Sequence, residues 1–293
     1  MASLQAGRIG RTRAVLGRGR AERWWAPRAV GRATSIALYG LAGGMAVAVW
    51  ATLSRFAGTP VDARCFYDVD PAAPYWKRDY AFFYSPAAAQ AMIPLQAFTF
   101  EAFTAVLRAA ELAALIALTG PLLPLVVFWS PVASEINAAN INLLIVAVAV
   151  WGFRWPALWS FVLLTKVTPG VGILWFAIRR EWHELAVALA ATLVIVALSL
   201  ACAPVLWFEW PAYLATVDPS EGAPLWGRVL AAAAIVVWGA RTGRPWTLVV
   251  AVTIALPRLY LQTPAMLVGL LYYVRPKLGD IRAWGQSLLP GTA

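Results

Sequence analysis

Three stretches of this chain, residues 33–54, 112–134 and 185–208, each run for more than twenty positions without a charged side chain. About 20 residues of helix cross a hydrocarbon core. No water is available there to pair exposed backbone, so such a run crosses as helix. The fold class that follows is an all-α polytopic membrane protein. Composition agrees: of 293 residues 61% are hydrophobic and 13% charged, against about 25% charged in a soluble domain. The apolar run at 35–53 is longer than the core of a signal peptide and more spans follow it, so it reads as a retained first helix.

A net charge of +10 does not point to nucleic acid here, because the cations lie in a tail and in short loops rather than on one folded face. Residues 1–34 hold eight arginines and one acid, Glu22, which makes them a cytoplasmic tail able to meet anionic membrane lipid. The expected organisation is that tail, one transmembrane domain at 35–278, and a second cytoplasmic tail at 279–293. The protein is then multi-pass in the plasma membrane with both termini inside. Residues 54–97, the longest polar segment, fall outside; they carry Asp62, Asp68, Asp70 and Asp79, and prolines that interrupt any continuous helix. The loop "WFEWPAYLATVDPSEGAPL" at 207–225, with three acids and no lysine or arginine, is also outside.

The middle of the chain admits two readings. One takes spans at 98–118, 121–134 and 136–153, then short helices at 155–165 and 169–178 that dip in and return, with Lys166 at an outer tip. The other takes ordinary spans at 112–134, 136–153 and 155–178, lays "FEAFTAVLRAA" along the surface and leaves Lys166 near mid-membrane. A lysine at that depth costs about 2.5–3.5 kcal/mol on insertion scales, and Pro169 is placed to break a helix just after it; both favour the first. Later spans are expected at 185–206, 226–240, 246–262 and 264–274.

Two cations inside apolar sequence, Lys166 and Arg258, are suited to an anion at membrane depth, or to partners such as Glu135 and backbone carbonyls. Arg108 and Glu111, three apart, are expected to satisfy each other. In "NAANIN", Asn137, Asn140 and Asn142 could hold a polar substrate or cap the helix that begins there. "DVDP", with Asp68 and Asp70, reads as a solvated turn, although a divalent ion there is not excluded. Cys65 and Cys202 fit no disulfide framework or metal spacing and read as unpaired thiols. His183 lies at a membrane surface, and no cofactor fingerprint is present. These features leave three activities open: an enzyme acting on a lipid-borne anion, a transporter or flippase of a lipid-linked or anionic solute, and a non-catalytic membrane partner.

The order "GTPVDARCFY", "FFYSP" followed by "IPL", "NAANIN", "LLTKVTPG" leading to "RREW", and "ALPRLYLQTP" resembles glycosyltransferase family 87, the polyprenyl-phosphate-sugar-dependent transferases of the GT-C superfamily. The resemblance runs over roughly residues 35–275. It implies a GT-C-like helix bundle of about 8–10 membrane segments with a large first extracytoplasmic loop carrying the active site. It implies transfer of a hexose, with mannose as the expected sugar, from a polyprenyl-phosphate donor to a glycolipid or glycan acceptor, with inversion. Asp62 is the implied catalytic base, Lys166 and Arg258 hold the carrier phosphate, and Tyr84, Asn137 and Asn140 bind substrate. No cofactor or metal ligand is implied.

Overall fold

A computed structural model describes residues 60–76, 81–216 and 224–275, with isolated positions 37, 40, 41 and 44. The arginine tail, most of the expected first span, Asp79, Asp218, Glu221 and the C-terminal tail lie outside the described residues. Within them, helix is the only regular structure. The elements are α1 (Val61–Tyr67), α2 (Pro86–Met92), α3 (Phe100–Thr119), α4 (Leu123–Val126), α5 (Ser130–Ala138), α6 (Asn142–Trp151) and α7 (Trp159–Thr165). They continue as α8 (Leu174–Arg179), α9 (Trp182–Cys202), α10 (Pro204–Thr216), α11 (Leu225–Thr242), α12 (Thr247–Ile254) and α13 (Leu271–Val274), with 3₁₀ turns between several of them.

The helix limits follow local chemistry. The Ser85 hydroxyl accepts from the Ala88 N–H, and Pro86 follows as the first helical residue of α2. Thr99 caps α3 through Ala102, and Gly120, at φ 55°, ends it. Gly243, at φ 69°, ends α11. Pro257 stops α12, since the residue before a proline is driven out of the helical region.

Two described helices are long and apolar enough to cross a membrane, the run Phe100–Val126 formed by α3 and α4 and the single helix α9. A third crossing is available if α5 and α6, bent by 107° at their junction, act as one. Apolar helices mark a membrane protein, with fewer full-length spans among the described residues than the segmentation predicted. The expected span at 121–134 is interrupted at Val127–Trp129, and the one at 246–262 is helical only as far as Ile254. "FEAFTAVLRAA" is the first half of α3 and not a separate surface helix. The outer "loop" is helical through Thr216, with Pro211 inside α10.

Around Lys166 the chain breaks as the first reading requires. Helix α7 ends at Thr165, Lys166 is its non-helical cap, and a 3₁₀ turn over Thr168–Ile173 leads into α8. The turn packs back on α7. Trp159 of α7, 1% exposed, fills the space against Gly172, where a Cβ would collide with its indole ring. The core runs without interruption from Phe66 through Phe103, Leu115 and Ile145 to Val252 and Met266.

Candidate active site

Two breaks in helix, between α5 and α6 and after α7, meet in a polar cluster. At the first, Ala139 takes a left-handed conformation, φ 52°, turning the chain between α5 and α6 and placing Asn140 and Asn142 at the bend. Lys166 Nζ donates to Asn142 Oδ1 at 2.6 Å and to Asn140 Oδ1 at 3.3 Å. Those two asparagines thus hold the lysine. Asn140 also accepts from the Ile141 N–H at 2.7 Å, so it bonds its own turn as well. Asn137 is exposed on the other side of α5, where its carbonyl accepts from Arg108 Nη2 at 2.8 Å.

Behind Asn142 sits Glu135, fully buried. Its two oxygens accept from Asn142 N at 2.9 Å and Asn142 Nδ2 at 3.0 Å. The Glu111 carboxyl of α3 lies against that of Glu135. This changes the expected pairing of Arg108 with Glu111. The Arg108 guanidinium is turned to the end of α5, where it donates to Ile136 O at 3.2 Å and to Asn137 O, although it still feels the Glu111 charge.

Asp62 lies in the first turn of α1, half-buried. It neither caps the helix nor pairs with Arg64. The cap position is Pro60 and has no side-chain cap bond, and Arg64 pairs with Asp68 at 3.5 Å while stacking over Phe100 at 3.6 Å. Instead Asp62 takes a hydrogen bond from the Gln262 amide and lies in the field of Lys166. Burial holds its carboxyl above the usual aspartate range; the Lys166 charge and the Gln262 hydrogen bond oppose that shift. Tyr67 and Gln96 fix α1 in place, Tyr67 by donating to Phe98 O at 2.8 Å and Gln96 by donating to Tyr67 O and Val69 O.

The segment Phe82–Ser85 joins these parts. Ser85 N and Oγ both donate to Leu164 O, two residues before Lys166, at 3.2 and 2.6 Å. Tyr84 stacks on Phe66 of α1 at 5.1 Å, and its phenol lies in the fields of Asp62 and Glu135. Phe83 lies under the Arg258 guanidinium, 4.9 Å from its ring centre, and stacks on Tyr213 of α10. Arg258 also acts on the Tyr213 phenol. Asp62, Lys166 and Tyr84 are therefore brought together, while Arg258 lies against Phe83, the chain neighbour of Tyr84. Asp70 instead accepts from Ala72 N in its own turn. Cys65 and Cys202 are unpaired.

Two contributors escaped the sequence reading. Gln262 is a neutral amide two residues before Pro264. Arg228 opens α11, where a cation reads as a membrane-surface residue, yet it is buried. It donates to the carbonyls of Ile254, Leu256 and Pro257, fixing the turn that presents Arg258.

Neither a curated protein nor a solved structure matches the chain. Residues 82–275, about two thirds of it, match the model of Glycosyltransferase family 87. That match contains Tyr84, Asn137, Asn140, Lys166 and Arg258 and begins after Asp62. The chain belongs to glycosyltransferase family 87.

Proposed function

We propose that this membrane glycosyltransferase moves a hexose, with mannose the first candidate, from a polyprenyl-phosphate donor to a glycolipid or glycan acceptor at the outer face of the plasma membrane. The observation that carries this reading is the meeting of one carboxylate, Asp62, with one amide-held ammonium, Lys166, among apolar helices. An apolar carrier brings a sugar and a phosphate to membrane depth. A site acting on it needs a cation for the phosphate and a base for the incoming hydroxyl.

In the proposed step the acceptor hydroxyl oxygen forms a bond to the sugar's anomeric carbon from the face opposite the lipid phosphate. Asp62 takes the hydroxyl proton. The bond from that carbon to the phosphate oxygen breaks, and the released lipid phosphate gains the negative charge that Lys166 and Arg258 stabilise. One inversion results, with no covalent sugar–enzyme intermediate. Tyr84, whose phenol lies in the fields of Asp62 and Glu135, stands beside the base as a substrate contact. The chemistry needs one base and two cations and calls on no cofactor.

The test is transfer of labelled hexose from polyprenyl-phosphate sugars by membranes containing the full chain. Asp62→Asn is expected to lower turnover by about 10²- to 10⁴-fold, the usual contribution of a general base, while leaving polyprenyl-phosphate binding intact. Near-parental transfer by Asp62→Asn, with an active parent, would remove Asp62 from the role.

A further inference from the structure

We propose that Glu135 is a positioning residue that sets the phosphate-binding lysine by fixing the orientation of the Asn142 side-chain amide. The inference rests on the carrier-phosphate reading of Lys166 given above and adds to it a residue that touches neither carrier nor sugar.

An asparagine amide has two ends of opposite polarity, and on size alone it fits its slot either way round. Here only one way places its oxygen toward Lys166. Glu135 reaches Asn142 through both carboxylate oxygens, taking the backbone N–H at 2.9 Å and the side-chain Nδ2 at 3.0 Å. The amide nitrogen is committed to the carboxylate, so Oδ1 faces away and accepts from Lys166 Nζ at 2.6 Å. Turned over, the amide would set its NH₂ against the ammonium and its oxygen against the carboxylate, two repulsive contacts in place of two attractive ones. Glu135 is fully buried and Asn142 1% exposed, so water does not screen that difference.

Asn140 cannot replace this control. Its Oδ1 is shared between the Ile141 N–H and Lys166, and the bond to the lysine is the longer one, at 3.3 Å. The ion-pair distances agree, since among the described residues the close pairs are Arg64–Asp68 and Arg179–Glu181. Glu135 acts on Lys166 across Asn142 and through its field, leaving the ammonium's remaining donor capacity for a ligand. A directly paired carboxylate would compete with the phosphate; one held back by an amide orients the lysine without neutralising it.

The experiment compares binding of polyprenyl monophosphate and uncharged polyprenol to the full chain in zwitterionic nanodiscs, which requires no turnover. The parent is expected to prefer the phosphate by about tenfold or more. Glu135→Gln, which keeps shape but offers one acceptor and one donor, is expected to cut that preference to about threefold or less while polyprenol affinity stays at the parental value. Added to Lys166→Met it should change nothing more. A Glu135→Gln protein with the parent's phosphate preference overturns the positioning role and leaves the carrier reading standing. Equal loss of both ligands also overturns it, by showing a merely structural part. A parent with no phosphate preference overturns the carrier reading and this inference with it. If Glu135→Gln does not fold, Asn142→Leu is read against the same outcomes, because it cuts the link from its other end.

Discussion

Lys166 was legible from sequence because a charge in apolar surroundings is expensive and must have a reason to be there; Asp62, within a polar segment, stood out only through the family resemblance and its place after the first span. Their neutral partners were not. An amide carries no such cost, so nothing in "NAANIN" separates Asn140 and Asn142, which reach Lys166, from Asn137, which serves Arg108. Gln262 is the same case, and its hydrogen bond to Asp62 gives a prediction. That bond favours the ionised carboxylate and works against the burial that raises its pKa. In its proposed role as general base Asp62 must be ionised to act, so kcat/KM is expected to rise with pH through its titration. Gln262→Leu removes a stabiliser of the charged form, and the acid limb of the pH profile is expected to move to higher pH while activity recovers on the alkaline side. Rate measurements across pH check it; an unmoved limb with a uniform loss of rate would show that Gln262 does not act on Asp62.

At the scale of elements, the positions of breaks were partly readable and their geometry was not. Pro169 announced the break after Lys166, and the 3₁₀ turn begins one residue before it. The left-handed Ala139, by contrast, sits in a run of small and polar residues with no glycine to mark it. Hydropathy also passes smoothly over Val127–Trp129 and over Ala255–Leu256, where the structure is not helical. The turn after α12 is held from two sides, by Thr168, whose hydroxyl donates to Ala255 O, and by Arg228. The buried Arg228 guanidinium gathers carbonyls that the end of that helix leaves without helical partners. Hydrogen bonds to a charged group are worth about 1.5–3 kcal/mol, so Arg228→Met is expected to cost about that much stability. It should also weaken polyprenyl-phosphate binding by loosening Arg258. Lys at this position makes a single-point contact in place of a fork and should rescue only in part. Melting in detergent alongside the nanodisc binding assay separates the two effects, and unchanged melting by Arg228→Met would contradict the structural role.

For the whole molecule, the apolar runs were enough to give a helical membrane protein, whereas the division into spans was not legible. The expected spans at 121–134 and 246–262 are not continuous helix, and a hydropathy average cannot see a bend of 107° between α5 and α6. Sidedness rests on the arginine distribution and has its own test. With Cys65 and Cys202 replaced by serine, Ala72→Cys, exposed beside α1, is expected to react with a membrane-impermeant maleimide on intact cells. Reaction only after permeabilisation would put the Asp62 region on the cytoplasmic side. Helix α9 carries a different kind of consequence. Most of its side chains are exposed or half-buried, and only Ala188 and Ser199 are buried, the latter accepting from Trp207 and, through its carbonyl, from Gln90. Neighbouring helices therefore constrain few of its letters. The bilayer sets the rest, and it asks for length and oiliness rather than shape, so this stretch can be rewritten almost freely while α6, buried along most of its length, cannot.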